Sequence, residues 1–126
     1  MPAPARILIV DSSAESRDIL STLLRRQGLE TIETTGAVAA SLVLGQEDPD
    51  LIVYDAESES VPGCQGALAL SRSASRTATP IVVLGTASRD LSPLASGQFV
   101  SKPYHYRPLI RRIESLLEGR NKASGW

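Results

Sequence analysis

Three short runs, Ile7-Leu8-Ile9-Val10, Leu51-Ile52-Val53-Tyr54 and Pro80-Ile81-Val82-Val83-Leu84, are apolar throughout and end abruptly, at Asp11-Ser12-Ser13, at Asp55 and at Gly85-Thr86. An unbroken apolar run of that length, closed by polar or turn residues, is the pattern of a β-strand covered on both faces. Such strands belong to parallel sheets, whose connections need a dozen or more residues and are usually helical. The stretches between the runs meet that need. Ser12 and Glu15 have the spacing of a capping box, which starts a helix at about Ser13. Leu20, Leu23, Leu24 and Gln27 share one face of it, and Gly28 is a natural stop.

The alternation continues along the chain. Leu29 to Thr34 reads as a weak strand, and Ala37 to Gln46 carries Val38, Leu42 and Leu44 at near-helical spacing before Asp48-Pro49 breaks it. Ala67 to Ser73 reads as a short helix, with Ser71 to Thr79 polar enough to be its exit loop. Gln98-Phe99-Val100-Ser101 is a last short strand; Pro108 suits a helix start, with Leu109, Ile113, Leu116 and Leu117 on one side and Gly119 beyond the end. Strands alternating with helices imply a parallel sheet with right-handed crossovers and helices on both faces. In such sheets reactive groups collect at the carboxyl ends of the strands. That rule gathers Asp11, Ser12, Asp55, Thr86 and Lys102 at one edge.

Composition narrows the class. A chain of 126 residues fits one domain with a real core, and five aromatic residues make that core mainly aliphatic. A formal charge of −1 gives no global attraction to nucleic acid or to an anionic membrane. No apolar run approaches the roughly 18 residues of a spanning helix. The opening Met1-Pro2-Ala3-Pro4-Ala5-Arg6 lacks the apolar stretch of a signal peptide, and Cys64 stands alone, so no intrachain disulfide can form. Together these favour the cytoplasm, with neither direct nucleic-acid nor membrane partners.

Four local patterns then occur in a recognisable order. Ile7-Leu8-Ile9-Val10-Asp11, Pro49-Asp50-Leu51-Ile52-Val53-Tyr54-Asp55, Pro80 to Thr86, and Phe99-Val100-Ser101-Lys102-Pro103-Tyr104 resemble the first, third, fourth and fifth strands of bacterial response regulator receiver domains of the CheY-like type. The resemblance covers residues 6 to about 119. It implies a flavodoxin-like, doubly wound five-stranded parallel sheet of order 2-1-3-4-5, with residues 1–5 a disordered lead and 120–126 a tail or linker remnant. It also implies a phosphorelay switch. Asp55 would be the phosphoacceptor, Lys102 the balancing cation, Thr86 the candidate switch hydroxyl and Phe99 the aromatic that follows it. Asp11 and Asp55 would hold Mg²⁺, with Glu57 or Glu59 standing in as a compensating ligand; no other cofactor is implied. A histidine kinase or phosphotransfer protein would donate the phosphoryl group to a module that is not a conventional enzyme. An output protein or domain, or a second copy in a homodimer, would read the result. The Lys102-Pro103 peptide is expected to be cis.

The chain departs from the family pattern at four places. Ser12 stands where the family has a second acid, which should cost at least roughly 10–100-fold in metal affinity. Val61-Pro62-Gly63-Cys64-Gln65-Gly66 resembles the family turn after the phosphoacceptor but begins three residues late, with Glu57-Ser58-Glu59-Ser60 before it. Counting from Pro80 puts Gly85 at the usual hydroxyl position, and Thr86 serves only if the strand is one residue longer. The stretch from Thr86 to Lys102 is short and interrupted by Ser92-Pro93, so the fourth helix is expected to be shortened.

These departures keep a second reading open, a pseudo-receiver that acts as a constitutive protein-interaction module. A flavin mononucleotide site is excluded by the acidic, glycine-free loop Asp11 to Glu15, and a haloacid-dehalogenase-type phosphatase by Ser13 where a second aspartate is required. His105 reads as an exposed loop residue, Cys64 as packing, Arg25-Arg26 and Arg111-Arg112 as solvated faces. Trp126 is a linker remnant or surface anchor.

Overall fold

The structure, a computed structural model, describes residues 3–55, 65–85 and 99–124. Five strands and four helices lie among these residues: β1 (Arg6–Val10), α1 (Ala14–Arg26), β2 (Glu30–Thr34), α2 (Ala37–Glu47), β3 (Leu51–Asp55), α3 (Gln65–Arg76), β4 (Ile81–Gly85), β5 (Phe99–Ser101) and α4 (Tyr106–Ser124). The strands form one parallel sheet in the order β2-β1-β3-β4-β5. The expected architecture and strand order hold. The shortened fourth helix expected between Thr86 and Lys102 falls outside the described residues.

The period of two sorts the central strands onto two cores. Ile7, Ile9, Leu51, Val53, Val82 and Leu84 pack with Leu20 and Leu24 of α1 and with Leu109, Ile113 and Leu117 of α4. Leu8, Val10, Ile52, Tyr54, Ile81 and Val83 pack with Ala37, Ala40 and Leu44 of α2 and with Leu70 and Ala74 of α3. Each fully buried aliphatic side chain contributes about 1.5–3 kcal/mol relative to an exposed one. Every position of β3 and β4 is buried, which is why those runs carry no alternation.

Several expected boundaries move, each for a local reason. The α1 cap is Ser13, not Ser12: its side chain accepts from the Ser16 amide, so the helix begins at Ala14. At the other end Gly28 at φ +84 lets its own amide reach Arg25 O and the Leu29 amide reach Leu24 O, closing the last turn. The helix expected to end at Ser73 runs to Arg76, because Ala78 at φ +54 and the Thr79 amide on Ala74 O make the same kind of stop later. The last helix starts at Tyr106, two residues before Pro108, and passes through Gly119 to Ser124. Residues 121–124 therefore extend a helix, where a tail was expected. The lead expected to be disordered through residue 5 is tied at Ala5, whose carbonyl accepts from the Glu30 amide at 2.9 Å.

The largest correction concerns α2. Val38 and Leu42, read as a helix face, are 82% and 65% exposed, while Ala37, Ala40 and Leu44 turn inward. The helix is apolar nearly all round, so spacing alone could not choose its buried side.

Candidate functional site

Strand register brings the acidic residues together. Val10 is paired with Tyr54, so Asp11 and Asp55 leave adjacent parallel strands side by side. Asp55 is in register with Leu84, and the ladder carries on past the strand ends through Asp11 N to Thr34 O at 3.1 Å and Lys102 N to Gly85 O at 2.9 Å. These backbone bonds set the rim before any side chain is considered. Both carboxylate residues are only 6% exposed.

Lys102 completes the cluster. Its Nζ donates to both Asp55 oxygens, at 2.9 Å to Oδ1 and 2.7 Å to Oδ2. The Lys102-Pro103 peptide is cis, as expected from the sequence. Asp11 is held differently. Its Oδ1 accepts from the Ser13 amide at 2.9 Å, which fastens the loop between β1 and α1. Burial pushes the Asp11 carboxyl above the usual aspartate range; the Ser13 amide opposes this, the Asp55 charge adds to it, and Lys102 and Arg17 pull it back. Tyr104 lies half-buried beside the rim, edge-on to Tyr106 with ring centroids 5.6 Å apart. Its phenol is pushed up to about 12, by burial first and then by the charges of Tyr106, Asp55 and Asp11.

Among the described residues no three His, Cys, Asp or Glu side chains gather as a metal-holding group. Mg²⁺ is nevertheless bound through only one or two carboxylates plus waters and phosphate oxygens in many sites. Two adjacent, buried carboxylates fit that requirement, with Ser12 exposed where a further acid would add charge. Glu57, Glu59 and Thr86 lie outside the described residues. Strand β4 ends at Gly85, one residue later than the Leu84 of the apolar run. Phe99 is partly buried against the α2–α3 core.

Sequence reasoning missed two contributors. Thr34, at the end of the edge strand, is buried and donates its hydroxyl to Ile9 O at 3.1 Å. Arg17 donates from Nη1 to Asp11 O at 2.6 Å. Its signal was the spacing Arg17, Ser21, Arg25, a polar stripe at intervals of four beside Leu20 and Leu24.

A parallel sheet of this order, with an acidic pair and a lysine at its carboxyl edge, defines a class, and comparison with known proteins agrees. The response regulator receiver domain family matches residues 7–114, and the chain belongs to that family. It is 24% identical to Protein PilH of Pseudomonas aeruginosa over 120 residues, covering 91% of this chain and 99% of PilH. It is 29% identical to the phosphate regulon transcriptional regulatory protein PhoB of the same species, covering 88% of this chain and 51% of PhoB. The chain thus spans nearly all of one relative and about half of the other. Among solved structures, a receiver-modulated diguanylate cyclase from Pelobacter carbinolicus superposes with TM-score 0.79 at 27% identity, covering 97% of this chain and 99% of that one. A CheY-like receiver domain protein from Methanospirillum hungatei gives 0.83 at 21% identity, covering 96% and 99%, a likeness of fold. The chain is therefore a receiver-type module of two-component signalling. No helix among the described residues is long and apolar enough to cross a membrane.

Proposed function

We propose that this receiver accepts a phosphoryl group on Asp55 from a phosphohistidine of a kinase or phosphotransfer protein. The supporting observation is the Asp11–Asp55–Lys102 cluster, two buried carboxylates side by side with one ammonium on both oxygens of the second. An Asp55 oxygen attacks phosphorus, the phosphorus–nitrogen bond breaks, and the imidazole leaves with the electron pair and takes up a proton. The new phosphorus–oxygen bond makes an acyl phosphate. Asp11 and Asp55 are the residues that would hold Mg²⁺, which when bound offsets the negative charge of the phosphoryl oxygens. Lys102 releases one Asp55 oxygen as it becomes the nucleophile and stays to balance the added charge as a point cation. Thr86, one residue past β4, supplies the hydroxyl that draws toward the phosphoryl oxygens, and Phe99 follows it inward.

The module signals by changing a protein-interaction face, in the cytoplasm, for an output protein or domain; it is not a turnover enzyme. Its folded unit takes in residues 6–119 and the extension of α4 to Ser124. Incubation with Mg²⁺ and a small phosphodonor, followed by intact mass measurement, should show one added phosphoryl group in the wild type and none in Asp55→Asn. A folded wild type that gains no mass removes the reading. Ser12 in place of an acid favours the second reading, a constitutive interaction module, which predicts that outcome.

A further inference from the structure

The α1–β2 seam is polar where the rest of that face is apolar, and its contacts lead to the pocket. In register with Ile9, Glu33 of β2 falls on the α1 side of the sheet, as does Thr31 in register with Ile7. Arg25 donates from Nη2 and Nε to Ser21 Oγ at 2.6 and 3.1 Å, Ser21 shares a 2.7 Å hydrogen bond with Thr31, and Arg25 lies 3.9 Å from Glu33 Oε2. Arg17 stands at the head of this seam. Its Nε is 3.5 Å from Glu33 Oε1, and Nη1 reaches across the β1–α1 loop to Asp11 O at 2.6 Å. The side chain is 17% exposed, so this is not a solvated surface arginine.

We propose that Arg17 is a positioning residue for the acidic pocket: anchored on Glu33, its guanidinium clamps the Asp11 carbonyl and thereby holds the Asp11 carboxylate beside Asp55. The planar fork makes this possible, since one face of it can meet Glu33 while another nitrogen reaches the carbonyl. A charge-assisted bond to a main-chain carbonyl is also among the stronger hydrogen bonds. The loop it closes is the one in which Asp11 Oδ1 accepts from Ser13 N, so carbonyl and carboxylate of Asp11 are fixed together.

The clamp and a bystander cation predict opposite signs. A positive charge that merely sits near the pocket repels an incoming divalent ion, and its removal tightens binding. A clamp orients a ligand, and its removal loosens binding. The proposal rests on the reading of Asp11 as part of the phosphoacceptor pocket, so its test carries a readout that needs no metal. In Arg17→Gln, the Ser13 amide should exchange its hydrogen about tenfold faster without metal, while core amides such as Ile9 and Val53 keep their protection. Mg²⁺, followed through amide resonances, should bind roughly tenfold more weakly. Arg17→Lys should fall between the two. Unchanged Ser13 exchange, or tighter Mg²⁺ binding, overturns the clamp. A wild type that shows no Mg²⁺ response defeats the phosphoacceptor reading instead, and Ser13 exchange still decides the clamp. Should Arg17→Gln not fold, Glu33→Gln removes the anchor and carries the same expectations in weaker form.

Discussion

At the amino end of the sheet Arg6 lies among Glu30, Glu47 and Asp50; at the carboxyl end Lys102, just past β5, reaches Asp55, which leaves β3 beside Asp11 of the neighbouring β1. Arg6 reaches Glu47 Oε1 at 2.6 Å and Glu30 Oε1 at 3.8 Å, its amide donates to Asp50 Oδ2 at 2.8 Å, and the glutamates are about half exposed. Water screens this cluster, and each contact ties one element to the next, β1 to the end of α2 and to the start of β3. The carboxyl end also sets a cation against carboxylates, with 8% of the Asp55 side chain exposed. There the fold keeps carboxylates in a place that raises the Asp11 carboxyl by burial, a cost that its one bond from the Ser13 amide only partly offsets. The difference teaches how to separate a fastening from a site. In this sheet the charges that fasten its amino end are wet, whereas those placed to react are dry and adjacent.

That contrast can be broken by exchange of partners. Lys102→Ala should slow adduct formation from a small phosphodonor by roughly 10²-fold, the scale of removing one preorganised donor from a developing charge. Arg6→Gln should leave that rate unchanged, as a fastening would; equal losses in both variants would erase the distinction.

A smaller effect sharpens it. Because burial raises the folded-state pKa of Asp11, the native state binds more protons than the unfolded chain just above the ordinary aspartate range. Stability contributed by this group is therefore full below the unfolded pKa and declines as pH rises through the folded one. Asp11→Asn should remove the decline, so the variant exceeds the wild type in denaturant midpoint at about pH 7 and matches it more closely at about pH 4. A variant less stable at the higher pH would show that Asp11 is a structural cap.

How much of this was legible differs by region. β1, β3 and β4 are buried on both faces, so their apolar runs announced themselves and their ends located Asp11 and Asp55. Helix α1 was readable because Leu20 and Leu24 face the core opposite a charged surface, with Gly28 at a positive φ to stop it. Helix α2 was not, since Val38 and Leu42 are as apolar as the Ala37, Ala40 and Leu44 that pack inward, and tertiary context alone picks the face. Strand β2 looked weak because Thr31 and Glu33 meet α1 through polar partners where Ile or Val would be usual. For Arg17 the stripe with Ser21 and Arg25 was on the page, but helix spacing does not name its partners, a main-chain carbonyl and a glutamate on another strand. The Asp11–Asp55–Lys102 grouping came from placing strand ends on one edge, a topological rule that needs no side-chain geometry.

Both ends of the sheet report in one spectrum. In a Mg²⁺ titration of the full chain, amide resonances of Asp11, Ser12, Ser13, Asp55 and Lys102 should shift together and saturate in the millimolar range, while those of Arg6, Glu30, Glu47 and Asp50 stay fixed. Silence at the carboxyl end up to that concentration, or movement at the amino end in its place, would contradict the account.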